Sequence, residues 1–385
     1  MSLEILGMVA PQQLSETRGS LTERAIDPGF LADFAQAHEQ SGFDRVLIGY
    51  GASHPDGFAI AAHVLHHTSR LKVLIAHRPG FVAPTVVARK LITLDHLAGG
   101  GRVAIHHITG GDEADQRRDG DRLGHDERYR RTTEFMTVLR ALLTSEEHLD
   151  HQGEFYDVAD AHSEVRPAAP IPLYFGGASP AAVAAGARNA DVYMLWGEPR
   201  RQIADRIAMV RAAAAEYGRE VSFSLSVRPI LADTEEEAWE RAARIELATA
   251  ERVGPGNQVA GFVAATAKHP VLKRRNASSV GGQRLRAQAA EALVHDDRLW
   301  YGVARLTGAA YNATSLVGTP SQVAESLLRY RDLGVERFLI RGFDPYGDAL
   351  DYGRELIPLL RAAAPARPVG AASDPDRVAS AAVSL

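Results

Sequence analysis

The chain has 385 residues, a formal net charge of −5, no cysteine and a hydrophobic fraction of 45%. The lack of cysteine excludes disulfides, thiolate metal sites and cysteine nucleophiles, and the charge without a long basic run argues against nucleic acid as the main partner. The N-terminus shows no secretory signal and no apolar run approaches the roughly 20 residues that span a bilayer, so we expect a cytoplasmic protein with no membrane segment.

Short apolar segments alternate with amphipathic segments along most of the chain. The predicted strands cover residues 4–10, 45–50, 72–78, 102–109, 173–175, 192–197, 222–232 and 337–343. The predicted helices between and after them cover residues 27–41, 57–67, 84–97, 127–143, 180–189, 199–217, 320–333 and 349–362. Eight strand–helix units with buried Val, Ile and Leu predict a (β/α)₈ TIM barrel rather than an open sheet.

The chain is longer than a bare barrel requires, so the excess is expected in insertions. The largest follows the seventh strand and begins with a predicted helix over residues 235–251. The polar, glycine-containing stretch after it predicts a lid at about residues 254–294. Residues 1–363 then form one barrel domain, and the Ala-, Pro- and Ser-rich residues 364–385 are expected to be a flexible tail.

The turn after the fifth strand suggests a phosphate site. Gly176 and Gly177 break the apolar run, Ser179 follows, and Pro180 starts the next helix. A glycine turn at a helix N-terminus offers free backbone N–H groups to an anion. The same residues also suit a plain connection in which Ser179 is only the N-cap. Tyr129, near the start of the predicted helix at 127–143, could reach a phosphate held by Ser179.

In such barrels the chemistry lies at the carboxyl ends of the strands. The residues at those ends are Pro11, Gln12, Ser53, His54, His77, Arg78, His106, His107, Thr109, Ser179, Trp196, Arg228 and 341–346. Few of them are carboxylates, which argues against a divalent-metal site. His106 and His107 are neighbours on one strand, so only one can face the interior. These residues alone leave an isomerase or an aldolase open, although no lysine at a strand end supports a Schiff base.

The motifs taken together resemble the bacterial luciferase-like flavin-dependent monooxygenases, and within them the alkanesulfonate monooxygenase branch. The similarity runs over roughly residues 1–363. The matching stretches include Arg78-Pro79, Thr93-Leu94-Asp95-His96-Leu97, Ile108-Thr109-Gly110, His125-Asp126-Glu127-Arg128-Tyr129, Leu173-Tyr174-Phe175-Gly176-Gly177-Ala178-Ser179, Trp196-Gly197-Glu198-Pro199 and Ser279-Val280-Gly281-Gly282-Gln283-Arg284.

The resemblance implies a barrel that binds reduced FMN (FMNH2) delivered by a separate NAD(P)H-dependent flavin reductase. Dioxygen then reacts at the flavin and a small organic substrate is oxidised, in the sulfonate enzymes with cleavage of a carbon–sulfur bond. The positions that match cofactor-binding residues are His107, Thr109, Tyr129, Gly177, Ala178 and Ser179. Those expected in catalysis are His54, His107, Trp196 and Arg228. The resemblance also implies a homodimer or homotetramer.

The substrate positions depart from the alkanesulfonate pattern. His54 replaces the expected cysteine, Ser226-Val227-Arg228 replaces an Arg-x-His pair, and Phe343-Asp344-Pro345 replaces a Tyr-x-His. We expect His54 or the inward histidine of the fourth strand to handle protons, and Arg228 to hold an anionic substrate. Two alternatives are a deazaflavin (F420)-dependent oxidoreductase on the same barrel and a flavin-binding protein without turnover.

Overall fold

The computed structural model describes residues 3–22, 24–253, 279–309 and 313–363. Eight parallel strands close into a barrel, which confirms the predicted (β/α)₈ architecture and all eight predicted strands. They are β1 (Glu4–Val9), β2 (Arg45–Ile48), β3 (Lys72–His77), β4 (Val103–His107), β5 (Leu173–Gly176), β6 (Val192–Trp196), β7 (Ser222–Leu231) and β8 (Val335–Ile340).

Helices surround this barrel and begin at its carboxyl-end mouth. They are α1 (Pro28–Gln40), α2 (Gly57–His66), α3 (Pro84–Leu97), α4 (Glu113–Arg118), α5 (His125–Thr144), α6 (Pro180–Asn189), α7 (Arg200–Ala215), α8 (Glu235–Val253), α9 (Val280–Glu291), α10 (Gly302–Thr307), α11 (Pro320–Asp332), α12 (Pro345–Asp351) and α13 (Ile357–Ala363), with a π-helical turn at Tyr352–Leu356. Several start at a proline behind a capping side chain, as Ser179 caps α6 and Thr319 caps α11. Such caps satisfy backbone N–H groups that have no partner within the helix.

Alternation along the strands divides the core into two parts. An inner cluster fills the barrel and consists of Leu6, Leu74, Ala104, Tyr174, Val192 and Leu339. The outer cluster lies between the strands and the helices and includes Ile105 and Phe175, the sequence neighbours of two inner positions. Since successive side chains point to opposite faces of a strand, this register decides which mouth residues face inward.

A small antiparallel pair of Leu14–Ser15 and Gly19–Ser20 follows β1, and two larger excursions also leave the barrel. A hairpin of Leu149–Gln152 and Asp157–Ala161 lies between α5 and β5. The insertion after β7 contains α8 to α10 and the short strands Val294–His295, Leu299–Trp300 and Ser315–Gly318. The last of these pairs with the far half of β7, which explains why that strand is long. Residues 254–278 of the predicted lid and the predicted tail at 364–385 lie outside the described residues.

Within the described ranges, no helix has the length and apolar character needed to cross a membrane.

Candidate active site

The turn between β5 and α6 forms a cradle built on Ser179. Its Oγ accepts a hydrogen bond from the Ala182 backbone N–H at 3.2 Å, and the side chain is buried. Burial raises the pKa of the Tyr129 phenol, and a hydrogen bond with Ser179 opposes that rise. A Cβ on Gly177 would lie 2.5 Å from Ala182 Cβ and 3.3 Å from Tyr129 Oη, so only glycine fits there. The two hydroxyls and the N-terminus of α6 therefore meet at one point.

Two buried donors fix the conformation of this turn. Tyr193 donates its hydroxyl to the Gly177 carbonyl at 2.8 Å, and Arg206 donates to the Ala178 carbonyl at 2.8 Å. Burial lowers the pKa of the Arg206 guanidinium below its ordinary value, and the nearby Arg284 charge adds to the effect. These two hydrogen bonds hold the carbonyls of the turn in place.

His106 faces the barrel interior from β4. Its Cε1 lies 3.4 Å from the point where a Cβ on Gly176 would be, and its Nδ1 is buried with no hydrogen-bond partner among the described residues. Burial lowers the pKa of His106 to about 4, against a raising backbone hydrogen bond with Tyr174. The imidazole is therefore neutral near pH 7.

His107 points away from the mouth, an orientation that does not favour contact with cofactor or substrate, and its predicted role in the site stays a prediction. It is fully buried in the outer layer, where its ring packs edge-on against Phe135 at 5.7 Å and its Nδ1 lies 3.2 Å from the Tyr174 carbonyl. The strand alternation is the cause, since His106 shares the inward face with Ala104. Burial, with a smaller contribution from His77, lowers the pKa of His107 well below its ordinary value.

Thr109 also lies on the outer side, after the end of β4. Its hydroxyl donates to Thr132 of α5 at 3.1 Å, and its carbonyl accepts from Gln116 at 2.8 Å. The residue thus joins the β4 end to α5, the helix that carries Tyr129.

The first turn of α9 lies over the mouth. A Cβ on Gly281 would be 3.0 Å from Cζ3 of Trp196 and 3.7 Å from the Ala178 Cβ. Ser279 caps the helix and packs so close to Gly111 that a Cβ on that glycine would lie 2.7 Å from Ser279 Cβ. The turn therefore links the ends of β4, β5 and β6 and half-buries the Trp196 ring.

Glu198 anchors the same helix. Its buried carboxylate accepts hydrogen bonds from Arg284 at 2.5 Å and from the Gln288 amide at 2.9 Å. Tyr330 donates its hydroxyl to the Glu198 carbonyl at 2.8 Å. The sequence motifs Trp-Gly-Glu-Pro and Gly-Gly-Gln-Arg thus belong to one assembly, a relationship that their sequence separation concealed.

Arg228 is committed to a buried charge cluster on the other side of the mouth. Its guanidinium donates to Glu16 at 2.6 Å and to the Gly342 carbonyl at 2.7 Å, and it stacks on Phe343 at 3.5 Å. Arg341 pairs with the other oxygen of Glu16 at 2.9 Å. The expectation that Arg228 holds a substrate anion stays a prediction, and in the structure its guanidinium is paired with Glu16.

Sequence reasoning missed Glu16 because it lies in the turn of a very short hairpin after β1, which has no apolar pattern. Burial raises the pKa of its carboxyl, but Arg228 and Arg341 outweigh burial and hold the pKa below its usual value. Burial lowers the pKa of Arg341 to about 10, while Glu16 opposes this. Two guanidinium groups share one carboxylate here, so the cluster carries a net positive charge.

His54 lies at the end of β2, folded back over Gly49 and Gly51. Its Nε2 is buried with no hydrogen-bond partner in the described part of the chain. Burial lowers the pKa of His54, whereas the Gly49 backbone and the Asp115 charge oppose the shift. Asp115 belongs to α4 and pairs with Arg78 at 2.5 Å.

The structure thus brings Tyr129, Gly177, Ala178 and Ser179 together and sets Trp196 beside them beneath α9. His54 and Arg228 lie at other points of the rim, and His107 and Thr109 lie in the outer layer. Among the described residues the mouth contains no cluster of carboxylates and imidazoles close enough to share a metal ion.

The comparisons with known proteins match this description. The profile of the luciferase-like monooxygenase family matches residues 6–337, so the chain belongs to that family and is a flavin-dependent monooxygenase by class. Solved structures with the same fold include riboflavin lyase (RcaE) with modified FMN and riboflavin, at TM-score 0.73 and 19% identity over 94% of this chain and 92% of that one.

Two further structures are similar at comparable coverage. The EDTA monooxygenase EmoA from Chelativorans sp. BNC1 has a TM-score of 0.72 and 18% identity, over 94% of each chain. An F420-dependent secondary alcohol dehydrogenase has a TM-score of 0.64 and 17% identity, over 94% of this chain and 100% of that one. At these identities the similarity shows the fold, and the chemistry has to be argued from the site.

Proposed function

We propose that this protein is the oxygenase component of a two-component system that uses reduced FMN and dioxygen to oxidise a small organic substrate. The observation that carries the proposal is the Ser179 cradle, in which two hydroxyls and a helix N-terminus converge in a barrel of this family. Reduced FMN would supply the electrons that activate dioxygen, and a separate NAD(P)H-dependent flavin reductase would supply the reduced FMN.

The donor set of the cradle fits a phosphate monoester. Ser179 and Tyr129 each offer a hydroxyl, and the N-terminus of α6 adds backbone N–H groups and the positive end of the helix dipole. A side chain on Gly177 would collide with Ala182 and crowd the Tyr129 hydroxyl, so glycine lets the turn, α6 and Tyr129 pack closely together. Ala178, whose carbonyl Arg206 holds, lines the same turn.

Trp196 and the histidines around the cradle have different proposed roles. Trp196 beneath Gly281 excludes water from the centre of the mouth, which strengthens electrostatic interactions there. His106 offers a neutral imidazole at the barrel floor, and His54 offers a second at the rim. Because burial lowers both pKa values, we propose that each acts as a hydrogen-bonding group that takes a proton only transiently during the reaction. His107 lies in the outer layer, where its contact with the Tyr174 carbonyl joins β4 to β5.

The substrate class follows from the charge at the rim. Arg228 and Arg341 both pair with the Glu16 carboxylate, so two cations meet one carboxylate there, and a sulfonate or another organosulfur anion that undergoes carbon–sulfur cleavage is the class we propose. We also propose cytoplasmic location, a homodimeric or homotetrameric assembly, and a single barrel domain at residues 1–363.

A deazaflavin-dependent oxidoreductase is the second candidate, favoured by the similarity to the F420-dependent dehydrogenase. The long anionic tail of that cofactor needs additional cations at the rim. Near the cradle, however, Arg206 already binds the Ala178 carbonyl and Arg284 binds Glu198. A flavin-binding protein without turnover is the third candidate, and the covered mouth argues against it.

Anaerobic titration with reduced FMN, followed by mixing with oxygenated buffer and a panel of organic sulfonates, tests the proposal. We expect micromolar binding of reduced FMN, weaker binding of oxidised FMN, and oxygen-dependent release of sulfite from at least one substrate. Tight binding of F420 with none of reduced FMN would instead establish the second candidate. Reduced-flavin binding with no product from any organic substrate class would establish the third.

A further inference from the structure

A cluster of three metal-binding side chains lies at the base of the outer hairpin, away from the barrel mouth. His148, Asp160 and His162 are all exposed, and their potential ligand atoms lie within 4.8 Å of one another. The Nδ1 of His148 lies 2.5 Å from the Asp160 carboxylate. The two imidazole rings stack at 4.0 Å with an interplanar angle of 4°.

The backbone of the hairpin holds the carboxylate in this place. Asp160 has a φ of 54°, which is unusual for a residue other than glycine and costs about 1 kcal/mol or more. Its backbone N–H donates to the Asp150 carboxylate at 2.7 Å, and its carbonyl lies 3.1 Å from Nδ1 of His162. A strained aspartate that contacts one imidazole through its carboxylate and the other through its carbonyl is more than a chance surface pair, since a strained backbone persists only where its surroundings enforce it.

We propose that His148, Asp160 and His162 form a site for a borderline divalent cation, with Zn²⁺ as the preferred ion. Two imidazole nitrogens and a carboxylate oxygen are a ligand set that Zn²⁺ accepts, with water in the fourth position. Mg²⁺ and Ca²⁺ prefer oxygen ligands and are disfavoured by the imidazoles. The site does not depend on the proposed oxygenase function.

The stacked rings of His148 and His162 must rearrange before both can bind the same metal ion. A metal ion lies in the plane of each imidazole ring that binds it, and two parallel planes cannot share one ion. One ring must therefore rotate out of the stack. Both side chains are exposed, so the rotation meets no packed neighbour. Binding should consequently change the imidazole environments of both His148 and His162.

Calorimetric titration of the tag-free, chelator-treated full chain with ZnCl₂ tests the site. We expect one binding event that becomes at least about tenfold weaker in His162→Ala and in Asp160→Asn. Asparagine tolerates the same backbone conformation, so the second variant changes only the ligand. The exposed side chains can be replaced without loss of fold, which the thermal midpoint of each metal-free variant checks.

His63→Ala is the matched control, because His63 and His67 also place two rings close together, at 4.2 Å, without a carboxylate between them. This variant should bind Zn²⁺ like the parent chain. Histidine resonances in NMR spectra should shift for residues 148 and 162 on addition of Zn²⁺. Equal Zn²⁺ affinity in the parent chain, His162→Ala and Asp160→Asn, or no binding by the parent chain, would overturn the proposal.

Discussion

The Arg284 guanidinium donates to the buried Glu198 carboxylate at 2.5 Å and thereby joins α9 to the segment after β6. Glu198 follows Trp196 by two residues, and Arg284 lies one helical turn after Gly281, the residue that contacts the Trp196 ring. The ion pair and the ring contact therefore hold the same two segments at two neighbouring points. Gln288 adds a second hydrogen bond to the carboxylate one turn further along the helix.

Breaking the ion pair between Arg284 and Glu198 should weaken the packing of α9 over the barrel mouth. In Arg284→Ala the buried carboxylate of Glu198 keeps only the Gln288 amide, and we expect a stability loss of about 1–3 kcal/mol, reduced from a fully buried pair because Arg284 is partly exposed. Glu198→Gln should cost less but raise hydrogen exchange across α9. Urea unfolding and hydrogen exchange of residues 280–291 measure the two effects.

Arg286→Ala is the control, since Arg286 lies on the same helix and contacts the Gly308 carbonyl rather than Glu198. It should leave hydrogen exchange at the first turn of α9 unchanged. If Arg286→Ala and Glu198→Gln raise exchange there equally, the ion pair has no special part in holding the cover.

Substitutions at Ser179 can separate helix capping from phosphate binding. Aspartate is as good an N-cap as serine, whereas alanine removes the cap at a cost of about 1 kcal/mol. Ser179→Asp should therefore retain the thermal midpoint and yet weaken reduced-FMN binding more than Ser179→Ala does, because its charge repels a phosphate. Fluorescence titration and thermal unfolding of both variants give the comparison.

Thr319→Ala removes an equivalent cap from α11, far along the chain from the cradle. It should lower stability as Ser179→Ala does while leaving flavin affinity intact. Tyr129→Phe should weaken flavin binding without a cap effect. Unchanged flavin affinity in Ser179→Asp and Tyr129→Phe would place the phosphate elsewhere.

The fold could be predicted from the sequence because each predicted strand is a short apolar run, and each such run is buried in the structure. The eight apolar runs are short and rich in Val, Ile and Leu, and a closed barrel is the arrangement that buries them on both faces. The cradle could also be predicted from the sequence, because glycines, a serine and a proline at a strand-to-helix turn are typical of an anion-binding helix N-terminus.

The contacts that the mouth residues make were harder to predict from the sequence. Nothing local distinguishes His106 from His107, because the choice between them depends on the register of β4 in the closed barrel. The contact between Arg228 and Glu16 joins residues far apart in sequence, and Glu16 lies in the turn of a very short hairpin. Ion pairs of this kind carry no periodic signal, so only the folded chain shows that the Arg228 guanidinium is already committed.

The two adjacent histidines should respond differently to substitution. His106→Leu changes a side chain at the barrel floor, so we expect altered reduced-FMN affinity or turnover with a small change in thermal midpoint. His107→Leu removes the contact with the Tyr174 carbonyl in the outer layer and should change stability with little effect on KM. Steady-state kinetics and calorimetry on both variants would show the contrast, and the reverse pattern would exchange their roles.

Arg228→Ala should act mainly on stability. The substitution leaves Glu16 buried with only Arg341 as a side-chain ion-pair partner in the described chain and removes the stack on Phe343, so we expect a loss of about 3 kcal/mol. The double variant with Glu16→Gln should recover part of that loss. A double-mutant cycle in urea measures the coupling. Normal stability with a large rise in KM for anionic substrates would return Arg228 to the substrate site.

Buried histidines should make the fold sensitive to mild acid. Burial lowers the pKa of His38, of His77 and of His106 to about 4, against an unfolded value near 6.5. Below about pH 6.5 the unfolded chain binds protons that the folded chain does not, so stability is fully present above that pH and falls as the pH drops towards 4. Each histidine should account for up to about 3 kcal/mol over this interval.

Urea unfolding between about pH 8 and about pH 4 measures the slope, which counts the protons taken up on unfolding. His38 is the best position for a test, because its ring is buried between Phe34 and Phe43 and lies outside the mouth. His38→Leu should make the acid slope shallower by close to one proton, whatever its effect at neutral pH. His66→Ala, at an exposed position of α2, should leave the slope unchanged. An unaltered slope in His38→Leu would mean that His38 titrates in the folded protein much as it does in the unfolded chain.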